Sequence, residues 1–301
     1  MRGFASTRGL GDNGGMTAIL LAFASAAFLG AGVVLTQFGL RTIHPLSGAA
    51  LSIPSFTLLF LLLSPILLHG ETIVWRAVPI FAAVGFGFPA AVTLLSFVSN
   101  RSLGPVVTSS LGNLAPLFSV ALAVLVLHEP LRLFQFIGLF VAVGGVLIIT
   151  VNRTGNARDW RTWALVLPLA AALLRGIAPP VIKLGLEVWP NPIAAGLTGY
   201  IFSTLTVLTI ERIRNGRFIA RGPSTGRLWF ALTGICNGIG TLLLYLAVGA
   251  GPVTLVAPLI ATYPLVTVGL SALVLSNVRI TARLVTGVVL TVAGVALILA
   301  G

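Results

Sequence analysis

Apolar stretches long enough to cross a lipid bilayer recur ten times along this chain of 301 residues. A helix needs about 20 mostly apolar residues to span the hydrocarbon core, whereas a strand of a membrane barrel needs about 10 with alternating polarity. The stretches have the length of helices. We therefore predict ten transmembrane helices near residues 16–40, 47–69, 77–99, 105–127, 133–151, 163–184, 192–210, 228–248, 252–275 and 280–300.

The composition places these helices in lipid and excludes a soluble domain. Only 8% of the residues are charged and the mean hydropathy is +1.08, whereas a soluble domain carries roughly 25% charged residues on its wetted surface. Cys236 is the only cysteine, so neither an intrachain disulfide nor a thiolate metal cluster is expected. We predict no metal site and no cofactor.

The order of glycines and prolines indicates that the chain is duplicated. Gly104-Pro105 is followed by Pro116 and Gly138, and the same order returns as Gly251-Pro252, Pro264 and Gly287. We predict an N-terminal tail at 1–15, a first five-helix repeat at 16–151, a cytoplasmic linker at 152–162 and a second repeat at 163–301. Met16 is an alternative start of the chain.

An odd number of helices in each repeat makes the second repeat enter the membrane from the opposite side, which gives an inverted repeat. Of the 18 Lys and Arg residues, twelve fall in loops on one side and five on the side of both termini. The positive-inside rule places the twelve in the cytoplasm and both termini outside. The net charge of +12 is thus explained by loops and anionic lipids, and nucleic acid is not an expected partner.

The segment from Leu117 to Ile148 resembles the end of an EamA-type repeat of the drug/metabolite transporter superfamily. An apolar helix closes on Glu129-Pro130 and continues into a helix rich in glycine. The second copy has Asn277 and Val278 in place of Glu-Pro. The resemblance implies ten helices around a central cavity and movement of metabolites by alternating access. Within the superfamily, the chain resembles bacterial inner-membrane exporters of amino acids, particularly aromatic ones.

Arg175 is the outstanding polar residue, because it lies 12 residues into the sixth predicted span, about 18 Å from the cytoplasmic end. Charged groups at this depth are expensive and usually functional. Either it faces a water-filled cavity and binds a substrate carboxylate, or it bonds carbonyl groups near the outer end of its helix. Lys183, close to the end of the same span, is expected to reach the lipid headgroups.

Other candidates for substrate contact are neutral polar or aromatic residues placed within spans. Asn237 either contacts a ligand or forms a hydrogen bond between helices. Phe86 and Phe88 face either an aromatic substrate or lipid. Trp163 belongs either to the cavity or to an interfacial belt of aromatic residues. Asn113 and Tyr263 stand beside prolines that we expect to bend their helices near the middle of the membrane. The full set is Gln37, Phe86, Phe88, Asn113, Trp163, Tyr200, Asn237 and Tyr263.

Several functional classes remain after these observations. Asp and Glu are missing from the middle of every predicted span, which favours a neutral or zwitterionic substrate moving down its own gradient. A carrier of sugar phosphates or nucleotide sugars is the main alternative, although it needs several deep cations. A channel or a membrane-embedded enzyme is less favoured, since neither a filter motif nor a nucleophile–base or metal motif occurs. The glycines of the fifth and tenth spans either pack these helices together or join two protomers.

Overall fold

The protein is all-helical in the computed structural model, which describes residues 12–103, 111–151, 165–218, 221–274 and 282–301. Every regular element within these ranges is a helix, so the predicted all-α architecture is confirmed. The helices are α1 (Asp12–Gly39), α2 (Pro45–Leu67), α3 (Val78–Gly85), α4 (Val92–Leu103), α5 (Ala115–Val126), α6 (Leu133–Val151), α7 (Val166–Val188), α8 (Pro192–Asn215), α9 (Ser224–Ala250), α10 (Val253–Ile260), α11 (Tyr263–Val274) and α12 (Ala282–Ala300).

These helices form the ten predicted membrane segments. Eight helical segments are long and apolar enough to cross a bilayer, and Ala115–Val126 and Leu133–Ile148 are shorter apolar helices. Two of the eight are broken. Counted among all ten segments, the broken ones are the third, which runs through α3 and α4, and the ninth, which runs through α10 and α11.

Prolines mark the breaks, because a proline has no N–H to continue the helical ladder. A π-helical turn, Phe86–Ala91, joins α3 to α4, and Phe88 leaves helical geometry there with φ −137° and ψ 123°. Pro264 lies in the first turn of α11 and Pro116 in the first turn of α5. The interruptions predicted at these two prolines are therefore present, as helix starts.

Equivalent contacts in the two halves show that the repeats correspond in structure. A side chain built on Gly30 of α1 would lie 2.8 Å from the Tyr263 carbonyl oxygen, and one built on Gly176 of α7 would lie 2.6 Å from the Ala115 carbonyl oxygen. The first helix thus packs on the ninth segment as the sixth packs on the fourth. This pair of contacts sets Gly30 equivalent to Gly176.

Glycines bring the fifth and tenth segments, α6 and α12, into close contact. A Cβ atom on Gly138 would stand 2.6 Å from the Gly294 carbonyl oxygen, and one on Gly145 would stand 2.7 Å from that of Gly287. Gly144 faces open space instead. Four of the five glycines therefore serve packing within one chain, and a homo-oligomer through these helices stays a prediction.

The most extensive helix pairings join one half of the chain to the other. They are α1 with α9, α6 with α12, α2 with α9, α5 with α7, and α2 with α8. The two repeats are therefore interleaved around a common centre, although each is continuous in sequence.

The bundle has two ends, which we name by the residues they carry. At the termini end, where α1 begins and α12 finishes, the Trp189 indole N–H donates to Glu71 Oε1 at 2.9 Å, and Arg132 bonds the Gly301 carbonyl. At the arginine-rich end, which carries residues 41–44 and 212–227, the Ser47 hydroxyl donates to the buried carboxylate of Glu211 at 3.2 Å.

Candidate functional site

A central cavity of about 330 Å³ lies between the two halves. Its walls come from segments of both repeats, and most of the lining is aliphatic or aromatic. On α2 the lining residues are Ala49, Ser52 and Ile53, all in the half of the helix that starts at the arginine-rich end. The cavity therefore occupies the middle of the bundle and extends toward that end.

The termini end of the bundle is closed by densely packed apolar side chains. Members of this plug with no exposed surface come from α1, α9 and α10: Ala18, Ala22, Ala247, Val248, Val253 and Val256. A molecule in the cavity is therefore separated from the termini end by several layers of side chains. The structure represents a state in which that end is shut.

Arg175 lies in the wall of this cavity, half-buried on α7. It is nine residues beyond Val166, the first residue of a helix of 23 residues, and hence about 14 Å along an axis of about 34 Å. Within the described ranges, neither a hydrogen bond nor an ion pair holds its guanidinium group. A cation near mid-membrane without a protein partner is an unusual and costly arrangement.

Close packing behind Arg175 brings the neighbouring helix up to the cavity. Gly176 has no side chain, so the backbone of α5 approaches α7 at Ala115. Pro179, one turn beyond Arg175, also lines the cavity. The small residues around the arginine thus leave its long side chain room to reach the open space.

Asn237 of α9 both contacts a neighbouring helix and lines the cavity. Its side chain lies against Gly32 of α1, where a Cβ atom would collide with the amide, and the residue also lines the cavity. Its backbone carbonyl accepts hydrogen bonds from the Thr241 hydroxyl at 2.8 Å and from the Tyr200 hydroxyl at 3.5 Å. The Asn237 amide is therefore held between two helices at the edge of the open space.

The structure brings most of the other candidates to the same cavity. Phe88 reaches it from the π turn, Asn113 from the turn before α5, and Tyr263 from the start of α11. Tyr200, which is 4% exposed, lies in the wall beside Asn237. The two broken segments and α5 thus place their interruptions beside one space.

Three candidates are not brought to the cavity. Phe86 is 49% exposed on the outer surface, and its ring centre lies 5.5 Å from that of Phe202. Gln37 lies on α1 beyond the lining residues Val33 and Thr36. Trp163 lies outside the described residues.

Sequence reasoning missed several lining residues, among them Phe230, Ser119 and Thr233. The hydroxyls of Ser119 and Thr233 are buried and find no hydrogen-bond partner among the described residues. Thr233, Asn237 and Thr241 follow one another at intervals of four residues on α9, which places them on one helix face. That stripe of polar residues was a usable signal.

Lys183 does not reach the lipid headgroups, so that prediction was wrong. Its Nζ atom donates to the carbonyl oxygens of Val248 and Gly251, each at 2.8 Å. Glu129 lies nearby, and its carboxylate accepts hydrogen bonds from the backbone N–H groups of Val253 and Thr254. Both charged groups therefore bind backbone at the termini end.

Ten apolar segments in an inverted repeat around a cavity define a membrane transporter of small molecules. Residues 16–151 and 162–300 each match the EamA-like transporter family. The chain belongs to that family, which is part of the drug/metabolite transporter superfamily.

One solved structure, described only as "Crystal structure of protein", has a TM-score of 0.77 to this chain at 17% sequence identity. The likeness covers 94% of this chain and 96% of the other and shows a shared fold. The comparison with curated proteins finds no match.

Proposed function

We propose that this protein is a secondary transporter, an exporter or facilitator, of small carboxylate-bearing metabolites. Amino acids, including aromatic ones, are the proposed substrates, and alternating access through the central cavity is the proposed mechanism. The observation that carries the proposal is the Arg175 guanidinium, which lines the cavity near mid-membrane without a protein partner among the described residues.

A carboxylate is the natural partner for this group. The planar guanidinium presents paired N–H donors that match the two oxygens of a carboxylate. In a cavity of low dielectric constant an unpaired cation is costly, so an incoming anion both gains a strong bond and removes that cost. An amino acid brings one carboxylate, which matches a wall with one such cation within the described ranges.

The rest of the wall suits the other parts of an amino acid. Phe88 and Tyr263 supply aromatic surface, which favours an aromatic or large apolar side chain through offset or edge contacts. The amide oxygen of Asn237 is an acceptor for a substrate ammonium group. Apolar walls with a few convergent polar groups are typical of small-molecule sites.

A sugar phosphate or nucleotide sugar fits this wall less well. A phosphate carries nearly two charges and usually meets several Arg or Lys side chains, whereas Arg175 is the one cation on the described cavity wall. The volume of about 330 Å³ suits a molecule of amino-acid size. These features also favour a carrier over an open channel or an enzyme.

The proposed orientation places the arginine-rich end in the cytoplasm and both termini outside, in the inner membrane of a bacterium. Arg212, Arg214, Arg217, Arg221 and Arg227 all lie in or beside the connection between α8 and α9, and such clusters are retained on the cytoplasmic side. In that orientation the cavity faces the cytoplasm in this structure, ready to receive a substrate for export.

Uptake of radiolabelled phenylalanine into proteoliposomes tests the proposal. We expect saturable uptake that excess phenylalanine inhibits, while phenethylamine, which lacks the carboxylate, and glucose 6-phosphate inhibit little. Arg175→Gln is expected to lower the initial rate about a hundredfold, since it removes a bidentate charged contact. Arg227→Gln, at the surface of the arginine-rich end, is the matched control and keeps the rate.

Two results would overturn the proposal. Arg175→Gln protein that is correctly inserted and transports phenylalanine at the parental rate would show that the arginine does not bind the carboxylate. Inhibition by glucose 6-phosphate but not by phenylalanine would favour the sugar-phosphate alternative.

A further inference from the structure

Two side chains of opposite charge hold the elbow between α9 and α10, which we define as Gly251–Thr254. Glu129 Oε1 accepts from the Val253 N–H at 2.9 Å, and Oε2 accepts from the Thr254 N–H at 2.8 Å. From the other side, the Lys183 ammonium donates to the Gly251 carbonyl of the elbow and to the Val248 carbonyl of α9. Three hydrogen bonds therefore fix this elbow, and a fourth holds the end of α9 beside it.

The charges match the ends of the helices they bind. Glu129 meets the first N–H groups of α10, where the helix dipole is positive, and Lys183 meets the last carbonyls of α9, where it is negative. Each contact is charge-assisted and therefore stronger than a bond between neutral groups. The two side chains carry opposite charges on the two sides of the elbow.

The backbone bends sharply at His128, directly before Glu129. His128 has φ 54°, a left-handed conformation that is uncommon for a residue with a side chain. The bend ends the helical run of α5, and the Glu129 N–H then bonds the Ala123 carbonyl at 3.2 Å. Outliers of this kind persist where the surrounding structure holds them, often at switch regions.

The elbow covers the plug that shuts the termini end. A Cβ atom on Gly251 would lie 2.5 Å from the Ala18 side chain, so the elbow rests directly on α1. Val253 and Val256, which follow in α10, have no exposed surface. An opening of the plug between α1 and α10 would separate this contact.

The other end of the repeat has neutral residues at the corresponding positions. Because Gly30 is equivalent to Gly176, Gln37 corresponds to Lys183. The sequence counterpart of Glu129 is Asn277, which lies outside the described residues. The inverted repeat therefore carries its pair of charges at the termini end alone.

We propose that Glu129 and Lys183 form a latch that holds the termini end closed and opens in each transport cycle. The proposal depends on the alternating access proposed above. Because the counterparts Gln37 and Asn277 are uncharged, the latch favours the state that is open toward the arginine-rich end. Removal of either charge shifts the population toward the state that is open at the termini end.

Cysteine labelling measures this shift without any substrate. In a Cys236→Ser background, Ala18→Cys or Ala22→Cys reports on the plug, and Ser96→Cys reports on the cavity wall. We expect Glu129→Gln and Lys183→Met each to raise the rate of maleimide labelling at the plug about tenfold, as loss of charge-assisted bonds implies. Labelling at the cavity position is expected to fall in the same variants.

Glu187→Gln is the matched control, because Glu187 is an exposed carboxylate one turn from Lys183, and among the described residues the hydrogen bonds to the elbow come from Glu129 and Lys183 instead. It should leave both labelling rates unchanged. The latch is refuted if Glu129→Gln and Lys183→Met, both monodisperse on size exclusion, label at the parental rate at both plug positions. General unfolding would raise labelling at Ser96→Cys as well, which also contradicts the proposal.

Failure of this test is distinct from failure of the proposed substrate. The labelling rates need no ligand, so a protein that ignores phenylalanine can still show the shift. A protein that binds phenylalanine through Arg175 but shows no shift retains the proposed function and loses the latch.

Discussion

Arg175 of α7 and Leu29 of α1 occupy equivalent positions in the two repeats, and both line the central cavity. The equivalence follows from Gly176 and Gly30, which come directly after them and make matching contacts. One repeat therefore supplies a cation where the other supplies an apolar side chain. The cavity wall is therefore asymmetric at these two equivalent positions.

Arg175→Lys should retain part of the transport that Arg175→Gln loses. Lysine keeps the positive charge but lacks the planar pair of donors that fits a carboxylate. We expect KM for phenylalanine to rise about tenfold with a smaller change in maximal rate. Initial rates over a substrate series in proteoliposomes give both constants. Equal activity of the lysine and glutamine variants would contradict the carboxylate contact.

Gly32→Ala should disturb Asn237 and weaken substrate binding. The new methyl group would meet the Asn237 amide, and overpacking of this kind costs about 1–3 kcal/mol. Asn237→Ala removes the obstructing group, so the stability lost through Gly32→Ala should be smaller in that background. Thermal unfolding of the four proteins in detergent measures the coupling. Additive losses would show that the two residues do not touch.

Gly138→Ala should destabilise the contact between α6 and α12, whereas Gly144→Ala on the same helix should not. A methyl group at 138 would press on the Gly294 carbonyl, but one at 144 meets open space. We expect a loss of about 1–3 kcal/mol for the first and a gain of up to about 1 kcal/mol for the second, because alanine favours the helix. Melting temperatures of the two variants provide the check, and equal values would contradict the packing.

Thr233→Val should make the protein more stable in the absence of substrate. The Thr233 hydroxyl is buried and has no hydrogen-bond partner in the part of the chain that the structure describes, and an unsatisfied group of this kind costs about 1–3 kcal/mol. Thr57→Val is the matched control. The Thr57 hydroxyl lies 2.7 Å from that of Thr204, so its removal should lower the stability. Opposite shifts in melting temperature are expected, and a loss in both variants would contradict the first assignment.

Reporter fusions should place the connection between α8 and α9 in the cytoplasm. A fluorescent protein that folds only in the cytoplasm should be active when joined after Arg221, and a periplasmic phosphatase should be inactive there. A fusion after Gly70, at the opposite end of the bundle, should give the reverse result. The reverse pattern at both positions would contradict the proposed orientation.

Much of the fold could be predicted from the sequence, because lipid imposes one simple requirement. Long apolar runs have to be helices, since their backbone groups must be satisfied internally, and Pro116 and Pro264 had to interrupt them. The directions in which side chains point were harder to predict than the helices themselves. A membrane helix is apolar on its lipid side and on its packed side alike, so the pattern did not show that Phe86 faces outward while Phe88 faces the cavity.

The site could be predicted from the sequence only at residues whose placement deep in the membrane is energetically costly. Arg175 stood out because a deep charge is expensive, but the acceptors of Lys183 lie 65 and 68 residues further along the chain, in α9 and in the elbow that follows it. A pairing of that range leaves no local signal. The stripe of Thr233, Asn237 and Thr241 did leave one, through its spacing of four residues.

The interleaving of the two repeats has a consequence for cutting the chain. Since α1 packs chiefly on α9, α2 on α8 and α9, and α6 on α12, a fragment that ends at residue 151 would leave its main contact surfaces facing lipid. Its partner beginning at residue 165 would be equally incomplete. Two such fragments produced in the same cell should therefore assemble into one working protein, while either fragment alone should be degraded.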